Sequence, residues 1–290
     1  MKPQNKDIKQ SLRYKNMVAR VEGLSPDEKG AQLLKALAVG TQWRIDAVLD
    51  ALDKKLYDWN YIDRLNVFKQ AAMFGQLHAI ERMAKNKYFK ADPAPQRGKY
   101  QAPPDIILEA FDTAVIHGNY AVADYCKSLG AGKDYMIGNR APRAMLLAVA
   151  EGNITKMGYL IDAGTCREYY LDMAVVEGNK KSVDYLLSRG ADINFVNGQL
   201  TPLGRAIQCG HEDLFHHLLD KGADPKISAR ENMYYAINGN KVGIVKTLLE
   251  HGVVPNKDDL TNAEYHKRDE IVALLKKHMP KGPDSSAPKP

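Results

Sequence analysis

Apolar residues in this chain recur three and four apart along short segments, and the segments come in pairs. Leu203 and Ala206 mark one such segment, Leu214, Phe215, Leu218 and Leu219 a second, and Gly210 lies between them. That spacing is one face of a helix, so the pattern predicts two helices bent back on each other at the glycine. The same phrase recurs as Phe111, Ala114, Gly118; Met145, Ala148, Gly152; Leu171, Ala174, Gly178; and Met233, Ala236, Asn240. Twelve residues after each junction stands another glycine: Gly130, Gly164, Gly190, Gly222 and Gly252. Ala36 and Ala71 extend the column towards the N-terminus, Ala71 with Phe68, and Leu260 with Ala263 extends it towards the C-terminus. A period with two registered marks per repeat predicts stacked helical hairpins, each burying its apolar face against its neighbours.

The element boundaries follow from local chemistry. Ser25, Pro26 and Glu28 supply a cap, a first-turn proline and the far side of a capping box, so a helix starts at residue 26. The first hairpin is expected over 26–39 and 43–54, and the second over 62–74 and 76–86. Residues 87–104 break the period with Pro93, Pro95, Pro103 and Pro104 and form the one long insertion, expected to be dispensable for folding. Each outer helix ends at glycine, as Gly190 and Gly222 show, because glycine takes the left-handed turn without steric cost. Residues 1–24 read as a polar lead-in in which Leu12, Val18 and Val21 suffice for one docked helix. Residues 25–279 form the array, and 280–290, rich in proline, lysine and serine, form a disordered tail.

Thr201, Pro202, Leu203, Gly204, Arg205 and Ala206, the junction Gly210 and His211, the pair Leu218 and Leu219, and Gly222, Ala223, Asp224 and Pro225 together resemble an ankyrin repeat. Leu186 and Leu187 through Gly190, Ala191, Asp192, Ile193 and Asn194 resemble the end of another. The resemblance implies an all-α, ankyrin-like helical-hairpin solenoid of about eight repeats, one near-complete and the others degenerate. The alanine spacings of 35, 43, 34, 26, 32 and 30 residues imply that connections are trimmed in places and extended once. In such arrays the inner helices line a concave face. Carried onto this sequence, the resemblance places Leu147, Met173, Val176, Glu177, Arg205, Gln208, Tyr235 and Asn238 on that face, with Tyr169 and Tyr170 at its start. Apolar and tyrosine side chains there have the composition of a protein-binding surface.

Composition narrows the function. Three cysteines, Cys126, Cys166 and Cys209, lie far apart and in odd number, which argues for a reducing compartment and a cytoplasmic location. No apolar run is long enough to cross a bilayer, and Met1 to Lys15 lack an apolar core for secretion, so no membrane insertion is expected. The net charge of +6 is concentrated in residues 1–30 and 82–101, the latter holding Arg82, Lys85, Lys87, Lys90, Arg97 and Lys99 beside Tyr88, Phe89 and Tyr100. A basic bias of this kind suits an acidic protein partner, and basic residues interleaved with aromatics carry the alternative of nucleic-acid binding through those two segments.

No catalytic motif is present, and His211, Asp213, His216 and His217 lack the geometry of a metal site, so neither metal nor cofactor is expected. The expectation is a non-catalytic protein-interaction module, monomeric, binding in the groove. Degenerate arrays of this kind are similar to effectors that intracellular bacteria or viruses deploy in a host cytosol.

Overall fold

The computed structural model describes residues 12–52, 61–85, 105–131, 143–162 and 167–280. The 87–104 insertion, Cys166 and residues 281–290 of the expected tail lie outside them. Among the described residues the chain is all α, with seventeen helices. After α1 (Leu12–Glu22) come eight hairpins: α2 (Pro26–Val39) with α3 (Gln42–Leu52), α4 (Tyr61–Met73) with α5 (Leu77–Lys85), α6 (Asp105–Ile116) with α7 (Tyr120–Ser128), α8 (Arg143–Glu151) with α9 (Ile154–Asp162), α10 (Arg167–Val176) with α11 (Lys180–Ser188), α12 (Pro202–Cys209) with α13 (Glu212–Asp220), α14 (Ala229–Asn238) with α15 (Val242–Glu250), and α16 (Lys257–Tyr265) with α17 (Asp269–His278). The expected capping box forms: the Ser25 hydroxyl accepts from the Glu28 amide, and the Glu28 carboxylate accepts from the Ser25 amide. Asn256 and Asp259 repeat the device at α16.

The chain divides into two compact units, residues 1–148 with 155–165, and residues 149–154 with 166–290. In the first, the inner helices α2, α4 and α6 pack side by side over a core built on Leu33, Leu37, Phe68 and Phe111. In the second, α10, α12, α14 and α16 pack in sequence over Leu171, Leu203, Phe215 and Met233. The repeating alanines, Ala36 through Ala263, are all buried, where a larger side chain would overpack the contact by about 1–3 kcal/mol. Outside the helices, the described residues contain a single isolated bridge, between Asn197 and Leu200, at the connection before α12.

Two hydrogen-bonding devices recur between neighbouring hairpins within a unit. The first lies at the junctions. At five of the bends the residue just after the bend reaches back to the open end of the preceding inner helix, whose last carbonyls lack helical partners. Gln76 donates to the Leu37 carbonyl, Asn119 to Ala72 and Met73, Asn179 to Ala150, and Arg268 to Asn238, while His211 Nε2 lies 2.9 Å from the Val176 carbonyl. The junction glycines make the seat for these side chains. A Cβ on Gly178 would lie 2.9 Å from the His211 ring, and one on Gly75 would lie 2.8 Å from Asn119 Oδ1. With φ of +66° and +67°, both positions combine a left-handed turn with a close approach, and only glycine meets both demands.

The second device runs along the outer helices, where an acid in one repeat accepts from the next. Asp46 takes Arg82 at 2.8 Å, Asp124 takes the Tyr159 hydroxyl at 2.7 Å, and Asp184 lies 2.7 Å from His217 Nε2. Burial alone would raise the Asp184 carboxyl, but hydrogen bonds and charge from His217 and Lys221 outweigh it and hold it below the usual range. A depressed carboxyl contributes stability above its unfolded pKa and loses that contribution as pH falls through the folded one. Asp184→Asn is therefore expected to lower the stability of the second unit slightly at pH 7, by under about 1 kcal/mol for so exposed a pair, and to make no difference well below pH 4. Urea melts at pH 7 and pH 3 check both halves of that statement.

The lead-in differs in detail from expectation. Leu12 points to solvent, 74% exposed, and α1 docks on α3 through Tyr14 and Val21 instead. The Tyr14 hydroxyl donates to Asp50, and burial together with that carboxylate raises its pKa.

Gly204 sets one helix-propensity rule against packing. It lies inside α12, where alanine is intrinsically better by about 1 kcal/mol. Its Cβ, however, would sit 2.5 Å from Asn232 Oδ1 and 2.9 Å from Leu200 Cδ2. Asn232 is fully buried and fixed by donating to the Pro225 and Ile227 carbonyls, so it has little room to yield. Gly204→Ala is expected to destabilise by about 1–2 kcal/mol net, the overpacking outweighing the propensity. A rise in the thermal midpoint would reverse the assignment.

Candidate functional site: the inner-helix face of the second unit

Each inner helix of the second unit turns one stripe of side chains away from its outer partner. Counted from the buried alanine, the stripe comprises positions five, two and one before it and two after it, spaced three and four apart. On α10 these are Tyr169, Asp172, Met173 and Val176; on α12, Thr201, Gly204, Arg205 and Gln208; on α14, Glu231, Tyr234, Tyr235 and Asn238; on α16, Asp258, Thr261, Asn262 and Tyr265. Because α10, α12, α14 and α16 pack in order, the four stripes lie side by side.

The structure places most of the expected site residues on this face. Met173, Arg205 and Tyr235 occupy equivalent positions on successive helices, partly exposed, while Tyr169, Val176, Glu177 and Gln208 are exposed. Tyr170 is corrected. It is fully buried, four residues before Ala174 and so on the core side of α10, with its ring edge-on to Tyr169 at 5.3 Å. Leu147, half-buried on α8, belongs to the first unit. Asn238 accepts from Asn262 at 3.1 Å and receives Arg268 on its carbonyl, so it braces α14 against α16.

The electrostatics of Arg205 also differ from a free cationic anchor. Its Nε lies 3.0 Å from Asp172 Oδ1, and its Nη1 donates to Gln208 at 2.7 Å. The second Asp172 oxygen accepts from Asn197. The pair neutralises itself, and Arg205→Glu would set two carboxylates against each other rather than probe a partner's charge.

Three features of the face are additions to the expected set. Tyr234 is 50% exposed and Tyr265 is 80% exposed, so the aromatic surface extends beyond Tyr235 to α16. The connection from Arg189 to Thr201 presents Phe195 and Val196 to solvent, 39% and 44% exposed. That connection is tied down by polar groups: Asn197 to Asp172, the Asn194 amide to Asp192, and Asn194 Oδ1 to the Asp224 amide. Tyr265 and Tyr234 were findable from the alanine register. The bracing of Phe195 was not, since it depends on contacts with other repeats.

Among the described residues no group of His, Cys, Asp and Glu could hold a metal, and no helix is long and apolar enough to cross a membrane. His217 is engaged by Asp184 and His211 by the Val176 carbonyl, so two of the three histidines around residue 211 are committed to other repeats. Of the basic residues at 82–101, Arg82 is committed to Asp46 and Asp50, at 2.8 and 2.6 Å, and is not a free cation. The residues 86–101 lie outside the described residues.

Stacked helical hairpins with an aromatic inner face and braced connections define a repeat protein of the interaction-module class. The family model described as ankyrin repeats (3 copies) matches residues 145–229 and 171–259. The ankyrin repeat protein FPV223 of Fowlpox virus is 31% identical over 111 residues, 37% of this chain and 79% of that protein. Palmitoyltransferase AKR1 of Lachancea kluyveri is 30% identical over 141 residues, 43% of this chain. The chain spans 19% of that enzyme's length. The chain belongs to the ankyrin-repeat family.

Proposed function

We propose that the protein is a non-catalytic interaction module that binds a protein partner on the inner-helix face of its second unit. The observation that carries this reading is the set of exposed tyrosines on three of the four inner helices, Tyr169 on α10, Tyr234 on α14 and Tyr265 on α16. Solvated faces carry lysine and glutamate, whereas interface cores are enriched in tyrosine and depleted of charge. Against an acyl-transfer role stand the two described cysteines. Burial pushes the Cys126 thiol up to about 12 and raises that of Cys209, the opposite of what a thiolate nucleophile needs. The similarity to a Fowlpox virus protein favours an effector acting in a host cytosol.

The test is quantitative capture of the partner by wild type and variants. Tyr234→Ala and Tyr265→Ala are expected to weaken binding by about tenfold or more each, as truncated aromatic anchors do, with thermal midpoints unchanged because both rings are exposed. Lys180→Ala, exposed at the start of α11, serves as the control. Retention of full affinity by both tyrosine variants would remove the face from the binding site. A nucleic-acid partner would show instead as binding that falls steeply with added salt and ignores both tyrosines.

A further inference from the structure

Charge is spread unevenly over the inner face of the second unit. On α10 and α12 the charged members of the stripe, Asp172 and Arg205, hold each other at 3.0 Å. On α14 and α16 the stripe carries Glu231 and Asp258 and no cation. Both acids stand five residues before a buried alanine, Ala236 or Ala263, so they hold equivalent places on helices that pack together. Asp258 is exposed and Glu231 partly so, and neither makes an ion pair or side-chain hydrogen bond among the described residues. A first-turn acid does favour a helix start. At α16, however, Asn256 and Asp259 already form the capping box, so Asp258 is surplus to the helix end. Arg230 and Lys257 precede the two acids but point about 100° aside, and the charge of Arg230 acts on buried Asp259.

Aromatic rings stand beside these carboxylates. Tyr234 and Tyr235 follow Glu231 by three and four residues, one turn on, where side chains start about 5–6 Å apart. Their rings meet edge-on at 78° with centroids 5.4 Å apart, and Tyr234 is 50% exposed. The pair therefore makes a two-walled aromatic corner with a carboxylate at its side. A planar guanidinium lies flat on such a ring while its N–H groups reach a neighbouring carboxylate. An apolar side chain placed there would strip water from Glu231 and Asp258 without returning a counterion. An acidic one would be repelled.

Resting on the inner-face reading above, we propose that the α14–α16 half of the face binds a basic segment of the partner protein. One arginine lies on the Tyr234–Tyr235 corner and pairs with Glu231, and a further basic residue is held by Asp258.

The experiment uses the full chain and labelled Gly/Ser peptides, read by fluorescence anisotropy. One peptide carries two arginines, a second two lysines, and a third two citrullines, which keep the planar shape without the charge. The arginine peptide is expected to bind at least about tenfold more tightly than the citrulline peptide, with lysine between them. Glu231→Gln and Asp258→Asn should each weaken the arginine peptide about threefold or more and leave the citrulline peptide unchanged. Tyr234→Ala should weaken it, whereas Tyr234→Phe, which keeps the ring, should not. An excess of the arginine peptide should release the captured partner. Glu212→Gln, an exposed acid on α13, is the control for bulk charge. An equal loss in Glu212→Gln, or arginine binding that ignores Glu231 and Tyr234, overturns the proposal. Equal binding of arginine and citrulline peptides, both lost in Tyr234→Ala, overturns the basic-segment proposal and leaves the inner-face reading standing. Absence of binding by every peptide, or a captured partner that the arginine peptide fails to release, overturns the basic-segment proposal alone. The tyrosine variants in the capture experiment test the face independently.

Discussion

Phe215→Ala is expected to cost the second unit about 3–5 kcal/mol, the usual range for emptying a fully buried aromatic site. The ring sits in α13 with no exposed surface, beside Leu214 and Leu218 on the stripe that α13 turns inward. Repeats bury their apolar faces only against neighbours, so a cavity there is not relieved by local collapse of one hairpin. The thermal midpoint should fall by about 10 °C or more. Leu218→Ala, also fully buried, should show about 2–5 kcal/mol by the same mechanism. Circular dichroism melts compare both with Lys180→Ala, an exposed change expected to stay within about 0.5 kcal/mol of wild type. A midpoint unmoved by Phe215→Ala would mean that the register of α12 and α13 is wrong.

In the first unit the largest effect is expected from Asp46→Ala. Asp46 is 3% exposed and receives Arg82 at 2.8 Å and His78 at 2.9 Å. Removing one partner of a buried ion pair typically costs about 3–5 kcal/mol, because the remaining charge loses both water and counterion. Here Arg82 keeps Asp50 at 2.6 Å, which places the expected loss near the lower end, about 3 kcal/mol. Since Asp50 also holds the Tyr14 hydroxyl, weakening the cluster should loosen α1 first. Amide hydrogen exchange in α1 is expected to quicken more than in α6, which lies away from the cluster. Arg82→Ala on the Asp46→Ala background should cost less than it does alone, and simple additivity would deny the coupling.

The hairpins were legible because single residues carry their steric logic. An alanine at a close helix contact and a glycine at a left-handed bend each have one physical reason to be there, and both recur in phase. The face was legible only in part, for a geometric reason visible at Tyr169 and Tyr170. Successive residues on a helix differ by about 100° in direction, so of two adjacent tyrosines one faces solvent and the other the core. The alanine register decides which: the position four residues earlier is buried in Tyr170, Pro202, Asn232 and Asp259 alike. Applied at α14, the same register brings out Tyr234. Arg82 could not have been placed this way. Its partners lie 36 and 32 residues earlier, and charge spacing in a sequence carries no record of such pairings.

The back-bonding at three of its four bends gives the two edges of the second unit unequal freedom. Along the bends, Asn179, His211 and Arg268 fix where one hairpin sits against the one before. Along the opposite edge, the connections between hairpins run to 13, 8 and 6 residues between α11 and α12, α13 and α14, and α15 and α16. Length variation is therefore absorbed along the edge opposite the bends. One edge can be rewritten by insertion, deletion or grafted sequence while the other keeps the stack in phase. New recognition sequences inserted beside Gly198, on the longest of these connections, would change what the protein meets while the bends keep the stack in phase, so long as Asn194 and Asn197 retain their partners in other repeats.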